Sequence, residues 1–194
     1  MTRPLLIVDL EATCWAKREH IPEQMETIEI GALLVDPDAP AVPREFQTFV
    51  RPVRHPGLSA FCCELTTIQQ SDVDCAEPFS QSFARFLAWI GDPGAVRFAS
   101  WGEYDKHQFQ RDCAYHALPY PFAADHLNLK RSLGERLGIG PTGMARALVR
   151  AGLELRGTHH RALDDARNLW RLWQHLEAQG GVDRLRPGAP PLTH

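Results

Sequence analysis

Residues 5–11 read LLIVDLE, an apolar run that ends in two acids separated by one residue. A short apolar run of this kind is typical of a central strand buried on both faces. Residues i and i+2 of a strand share a face, so Asp9 and Glu11 would point the same way. Two carboxylates on one buried face are costly unless a cation neutralises them, which favours a metal site. The alternative is that the strand ends near Asp9 and both acids are solvated loop residues.

The segments that follow predict a mixed α/β fold. Residues 28–35 and 46–50 have the pattern of two further strands with short connections, which suggests an antiparallel meander. Apolar residues then recur at helical spacing, interrupted by one more strand at 96–100. Helices are predicted at 78–90, 104–117, 125–137, 141–151 and 162–179. Strands first, then a strand alternating with helices, predict a central sheet of mixed direction flanked by helices.

Length and composition indicate one domain. The chain has 194 residues, of which 44% are hydrophobic, and this suits a single core. A formal charge of -3 excludes a polycation that coats nucleic acid without discrimination. We expect the domain to occupy residues 1–180 and residues 181–194 to form a flexible tail rich in Pro and Gly.

The cysteines and the apolar runs bear on the compartment. Five cysteines form neither a CxxC pair nor a regular framework, which favours a reduced protein. The N-terminal residues lack a secretory pattern, and no run approaches the roughly 20 apolar residues of a membrane span. We expect a cytoplasmic protein without a membrane partner, and the oligomeric state stays open.

A third acid follows the strand predicted at 96–100. Asp105 lies in the first turn of the next predicted helix, on the stripe that Phe109 continues towards the interior. It would therefore open the inward face of that helix. The alternative is an ordinary cap or a partner of the helix dipole.

The segment before the last predicted helix reads HHRALDD, residues 159–165. An apolar stripe runs along this helix through Leu169, Leu172 and Leu176. Helical spacing places Asp165 on that stripe, facing inward, whereas Asp164 falls on a polar face with Asn168 that would look at water. A buried Asp165 without a partner in the stripe again favours a cation.

Taken together, the acids fit a metal-dependent phosphodiesterase. Such an enzyme uses carboxylates on rigid elements to hold two divalent ions roughly 3.5 to 4 Å apart. Oxygen ligands without thiolates favour Mg²⁺ or Mn²⁺. A histidine, with an ordinary pKa near 6.5, can accept the proton of the attacking water near neutral pH.

The order Asp-x-Glu in a first strand, Asp after a later strand, and His-x-Ala-x-x-Asp at a late helix resembles the DEDDh exonucleases of the ribonuclease H-like superfamily. The resemblance implies a ribonuclease H-like fold and His160, rather than His159, as the general base. It also implies that two Mg²⁺ or Mn²⁺ ions are bound by Asp9, Glu11, Asp105 and Asp165. A sister group has tyrosine where this chain has Arg161, so the histidine variant fits.

Shorter motifs are similar to the ERI-1-like branch, which trims RNA 3′ ends. These motifs are DLEATC at 9–14, Phe61-Cys62, Leu65-Thr66 and the segment 128–130, although Thr67 stands where relatives commonly have glycine. The resemblance implies a 3′–5′ exonuclease that releases nucleoside 5′-monophosphates from single-stranded or overhanging ends, RNA in preference to DNA. A DNA-directed exonuclease and a catalytically silent RNA-binding module are the alternatives.

The same resemblance implies contacts with the substrate. Backbone atoms of Ala12 and Thr13 would approach the terminal sugar. Phe61 and Tyr104 would flank the last base, with Leu65 beside it, unless the aromatic rings are only core packing. Basic side chains could meet phosphates or form no more than a solvated face: Lys106, Lys130, Arg131 and Arg161.

Overall fold

The structure is a computed structural model that describes residues 3–16, 22–36 and 43–179. Within these ranges the centre is a five-stranded sheet in the order β3-β2-β1-β4-β5. Strands β1, β2 and β3 pair antiparallel, while β4 and β5 run parallel to β1. The predicted meander with added parallel strands is confirmed. The strands are β1 (Leu5–Ala12), β2 (Thr27–Val35), β3 (Arg44–Phe49), β4 (Arg97–Ser100) and β5 (Leu127–Asn128).

Helices cover both faces of the sheet. In the described ranges they are α1 (Ala60–Thr66), α2 (Gln70–Asp74), α3 (Phe79–Ile90), α4 (Tyr104–Tyr115), α5 (Leu129–Leu137), α6 (Met144–Arg150) and α7 (Ala162–Ala178), after a 3-10 turn at Pro22–Gln24. Each predicted helix is present. Helices α1 and α2 were not predicted, since each is too short for an apolar period to appear; local caps define them, as where the Cys62 amide donates to Ser59 Oγ at 3.0 Å.

The first strand continues past its two acids. β1 runs to Ala12, so the alternative that Asp9 and Glu11 lie in a loop is wrong. In the register with β2, Asp9 faces Gly31 and Glu11 faces Glu29. Both acids are therefore held by a continuous ladder of backbone hydrogen bonds.

Alternation along β1 assigns its side chains to two separate cores. Leu5 and Ile7 pack with α5, α6 and α7, whereas Leu6 and Val8 pack with α3 and α4. Asp9 and Glu11 continue the row of Leu5 and Ile7, so their side chains face α7. This parity is what brings the acids of the first strand towards Asp165.

Two helix starts differ from prediction. The helix predicted from residue 125 begins at Leu129, because Leu127 and Asn128 pair with β4 and the Asn128 side chain then accepts the Arg131 amide as an N-cap at 3.0 Å. The helix predicted from residue 141 begins at Met144. The sequence pattern did not reveal β5, because a strand of two residues is too short to show an alternation.

One side chain on the polar face of α7 is buried instead of exposed. Asn168 was predicted to look at water, yet its side chain is fully buried. Its Oδ1 accepts the Arg156 amide at 3.0 Å and its Nδ2 donates to the Arg156 carbonyl at 2.8 Å. The segment before α7 folds back over the helix, and Asn168 replaces the backbone bonds that this segment would otherwise lack.

Two further predictions concern the C-terminal tail and the membrane. The tail predicted at 181–194, and so the boundary at residue 180, lies outside the described residues. Among the helices that are described, none combines the length and the apolar character that crossing a bilayer requires.

Candidate active site

A cavity of about 360 Å³ lies at the C-terminal end of β1. The five side chains for which sequence predicts a catalytic role all line it: Asp9, Glu11, Asp105, His160 and Asp165. They come from three separate parts of the chain. The predicted convergence is therefore present in the structure as geometry.

Three of the acids form a compact group. Asp9, Glu11 and Asp165 each have a carboxylate oxygen within 4.8 Å of the others. Asp9 and Glu11 share one face of β1, and Asp165 lies in the first turn of α7, which packs on that face. Oxygens this close can bind one cation between them.

Asp105 contributes the fourth acid of the cavity lining. It lies in the first turn of α4 and is only 4% exposed. Its Oδ1 accepts the backbone amide of Leu10 at 3.0 Å, which fixes the carboxylate beside β1. The inward orientation predicted from the helical stripe is confirmed by this burial.

Burial and mutual repulsion disfavour the charged forms of these acids. Burial, followed by the charge of Asp105, raises the pKa of Asp9 well above its ordinary range. Burial and then Asp165 raise the pKa of Glu11 to about 9. The pKa of Asp105 rises to about 7, since burial outweighs the hydrogen bond from Leu10. Without a positive charge, the site holds protons near neutral pH.

Two histidines stand at the open side of the acid group. The ring centroids of His159 and His160 are 4.0 Å apart and the rings are stacked. His159 Nδ1 lies 3.1 Å from Asp165 Oδ2, whereas His160 Nδ1 lies 3.9 Å from Glu11 Oε1. The His160 amide also donates to Asp165 Oδ2 at 3.0 Å. Desolvation, then the neighbouring His159, lowers the pKa of His160, which favours the neutral ring.

The backbone before α7 reaches this position through a left-handed residue. His160 has φ 62°, unusual for a residue with a side chain. The helix then comes so close to β2 that a Cβ on Gly31 would lie 2.1 Å from the Leu163 nitrogen. Asp9 pairs with Gly31 in the register of β1 with β2. Because residue 31 is glycine, α7 can lie close to β2 there and bring Asp165 near Asp9.

The residues predicted to hold substrate divide into two groups. Ala12, Leu65 and Tyr104 line the cavity. Thr13 does not line it: the side chain is buried and its Oγ1 accepts the Glu26 amide at 3.0 Å. Phe61 also lies outside the lining but is 38% exposed, four residues before Leu65 on α1 and so on the same side of that helix.

Part of the cavity wall was not predicted from the sequence. Met25, Trp101 and Met144 contribute apolar surface to it. Trp101 Nε1 donates to the Thr142 carbonyl at 3.1 Å, which ties the segment before α6 to the site. Trp101 could have been suspected because it immediately follows β4; Met144 has no local signal.

Three of the four basic residues considered as phosphate contacts form ion pairs with acidic side chains. Lys106 pairs with Glu103 at 2.8 Å, and Arg131 pairs with Glu135 at 3.2 Å. Arg161 forms an ion pair with Glu29 at 3.1 Å. The idea that Arg161 meets a phosphate is therefore not supported by its contacts.

Comparison with known proteins agrees with this geometry. A family model described as an exonuclease, RNase T, matches residues 6–173. The chain belongs to the RNase T exonuclease family. ERI1 exoribonuclease 2 of Homo sapiens is 31% identical over 93% of this chain, which spans 29% of the human protein. The probable 3′-5′ exonuclease KapD of Bacillus subtilis is 30% identical over 91% of this chain and 85% of its own length.

A solved structure extends the likeness to three dimensions. The nuclease domain of 3′hExo, a DEDDh family member bound to rAMP, has a TM-score of 0.84 and 28% identity, with 97% of this chain and 98% of that chain covered. The resemblance to ERI-1-like DEDDh exonucleases and the ribonuclease H-like fold predicted from it are confirmed. Within this RNase T family member, the roles of single residues remain predictions.

Proposed function

We propose that this chain is a metal-dependent 3′–5′ exonuclease that removes nucleoside 5′-monophosphates from the 3′ end of RNA. The observation that carries the proposal is the group of Asp9, Glu11 and Asp165 oxygens, mutually within 4.8 Å at the floor of one cavity. Membership of an exonuclease family supports the hydrolysis of phosphodiester bonds from an end of a nucleic-acid chain. The exoribonuclease and 3′-5′ exonuclease activities in the names of similar proteins are those proteins' own.

Two divalent cations are proposed for this donor set. Buried carboxylates that repel one another are stabilised by a cation, and oxygen donors suit Mg²⁺ or Mn²⁺. Asp9, Glu11, Asp105 and Asp165 would hold the ions. When bound, such ions lower the pKa of a water and neutralise charge on the phosphate and the leaving oxygen.

The protein supplies the base. The lowered pKa of His160 favours the neutral ring, which can accept the proton of the attacking water. His159 is the weaker candidate, because its Nδ1 already contacts both carboxylate oxygens of Asp165. We therefore assign the base to His160, with Glu11 beside it at 3.9 Å.

The cavity suits one terminal nucleotide. Its volume of about 360 Å³ is at the small end of the roughly 300–1,000 Å³ of ligand pockets. Leu65, Tyr104 and Trp101 offer apolar surface to a base, which any base can use. The family resemblance supports the proposal that backbone atoms of Ala12 and Thr13 contact the sugar and that Phe61 flanks the last base. RNA is proposed as substrate because similar proteins are named exoribonucleases and one is bound to rAMP.

A labelled oligonucleotide tests the activity. The chain, incubated with 5′-labelled single-stranded RNA and Mg²⁺ or Mn²⁺, should give a ladder that shortens from the 3′ end, and EDTA should stop it. Nucleoside 5′-monophosphates should be the released product. Binding without cleavage would favour the silent RNA-binding module, and faster cleavage of a matched DNA strand would favour the DNA-directed exonuclease.

Glu11→Gln tests the metal site through stability. The folded pKa of Glu11, about 9, lies above its unfolded value. Stability from this group is therefore complete at low pH and is lost as pH rises towards 9. Metal-free Glu11→Gln should melt at least about 3 °C above wild type at pH 8, as roughly 1 kcal/mol would produce, and the gap should shrink at pH 5.

Thermal unfolding followed by circular dichroism measures this effect. Added Mg²⁺ or Mn²⁺ should raise the Tm of the wild type and have a smaller effect on Glu11→Gln, since one ligand is gone. A Tm of Glu11→Gln equal to or below that of the metal-free wild type at pH 8 would contradict the claim that burial and neighbouring acids disfavour the charged form of Glu11.

The compartment and the domain boundary stay predictions. We propose a cytoplasmic location from the cysteine pattern, and one exonuclease domain over residues 1–180 with a tail at 181–194. Limited proteolysis that left a stable fragment ending near residue 180 would support the boundary.

A further inference from the structure

Glu29 is a fully buried carboxylate that sequence reasoning did not single out. It lies on β2, directly opposite Glu11 of β1. Arg161 donates to it twice, from Nε to Oε2 and from Nη2 to Oε1, each at 3.1 Å. The Ala162 amide donates to Oε2 at 3.1 Å, and Gln47 Nε2 donates to Oε1.

These bonds fasten the turn that leads into α7. Arg161 follows His160 directly and its guanidinium also lies over the Phe49 ring, with its carbon 5.2 Å from the ring centroid. Ala162 is the first residue of α7, so its amide has no partner within the helix and Glu29 provides one. The turn is thus bound to both β2 and β3 through residues adjacent to His160.

Packing alone does not require a carboxylate at residue 29. Burying a carboxylate costs free energy, and this one adds its negative charge to a group of acids that already repel one another. Its particular property is that two oxygens fix a guanidinium in one plane and still accept a backbone amide. Orientation, rather than packing, is what the carboxylate supplies.

We propose that Glu29, acting through Arg161 and Ala162, is a positioning residue that sets where His160 and Asp165 stand relative to Asp9 and Glu11. The inference rests on the proposed nuclease function. Glu29 is neither one of the residues that line the cavity nor one of the three acids whose oxygens lie together. It influences how α7 presents Asp165 and how the turn before α7 presents His160.

Three variants test the proposal: Glu29→Gln, Arg161→Gln and Arg161→Lys. The matched control is Arg167→Gln, since Arg167 also joins α7 to the sheet, by an ion pair with Glu45 at 2.6 Å, but on the exposed side and away from the site. Each protein is first shown to be folded at the assay temperature by circular dichroism.

For Glu29→Gln and Arg161→Gln we expect kcat on single-stranded RNA to fall about 10- to 100-fold, the usual effect of losing a group that orients metal ligands. KM should stay within about twofold, because the wall that holds the nucleotide is unchanged. Mn²⁺ affinity, measured by calorimetry, should also fall. Arg161→Lys should recover part of the loss, and Arg167→Gln should match wild type in both readouts.

The outcomes separate this proposal from the function beneath it. A folded Glu29→Gln with wild-type kcat and Mn²⁺ affinity would overturn the positioning role. If Glu29→Gln and Arg161→Gln both fail to fold, the pair is structural and the proposal is likewise overturned. If the wild type cleaves no oligonucleotide, the proposed function fails, yet the Mn²⁺ affinities of wild type and variants still decide whether Glu29 positions Asp165.

Discussion

Replacing Asp165 by Asn or His160 by Ala is expected to lower kcat by at least about 100-fold while the chain stays folded. Asp165 contributes an oxygen to the acid group, and the amide of Asn is a poorer ligand for Mg²⁺ because it lacks the charge. His160 is assigned as the acceptor of the water's proton, and alanine cannot take that role. Initial rates on 5′-labelled RNA with saturating Mg²⁺ measure both losses.

The neighbouring residues provide matched controls. Asp164→Asn keeps an oxygen that can accept the Thr158 amide, which Asp164 binds at 2.9 Å, and it should retain nearly full activity. His159→Ala removes the ring that contacts Asp165 and should cost less than about tenfold. Full turnover by Asp165→Asn, or a larger loss from His159→Ala than from His160→Ala, would remove the assignment of these roles.

Gly31→Ala is expected to be the most damaging small substitution in the core. Its Cβ would lie 2.1 Å from the Leu163 nitrogen and 2.2 Å from the Ala162 carbonyl carbon. Both atoms belong to the backbone, so no side-chain rotation can relieve the overlap, and α7 must move away from β2. The free energy of unfolding should fall by about 3 kcal/mol or more, or the protein should fail to accumulate.

Thermal unfolding reads the effect. For a chain of this size, such a loss corresponds to a Tm lowered by roughly 6–12 °C. Gly57→Ala is the control, because a Cβ there meets nothing within 4 Å, and its stability should stay within about 0.5 kcal/mol of wild type. A Gly31→Ala protein as stable and as active as wild type would mean that the approach of α7 to β2 is not as close as the structure describes.

Local periodicity explains which elements could be predicted. β1, β2 and β3 were found because apolar runs and alternation are properties of a few adjacent residues. The inward phase of Asp165 followed in the same way from the leucine stripe of α7. β5 was missed, because it forms only by pairing with β4. Leu127 pairs with Ala99, which is 28 positions away in the sequence.

The site shows the same division. Asp9 and Glu11 could be assigned to one face from their spacing alone, and the DEDDh pattern distinguished Asp165 from Asp164. The role of Glu29 could not be predicted, because its partner Arg161 is 132 positions away in the sequence. Asn168 was assigned to the wrong environment for a similar reason: the segment that covers it comes from outside the helix.

The sequence by itself determined the strand that carries Asp9 and Glu11, the helical face of Asp165 and the exonuclease family, because each depends on short-range spacing. Only the tertiary structure decided that Asp105 is fixed by the Leu10 amide, 95 positions away, and that α7 rests on Gly31 and Glu29. Contacts between distant segments form when the sheet and its helices pack, and their geometry leaves no periodic trace in either segment.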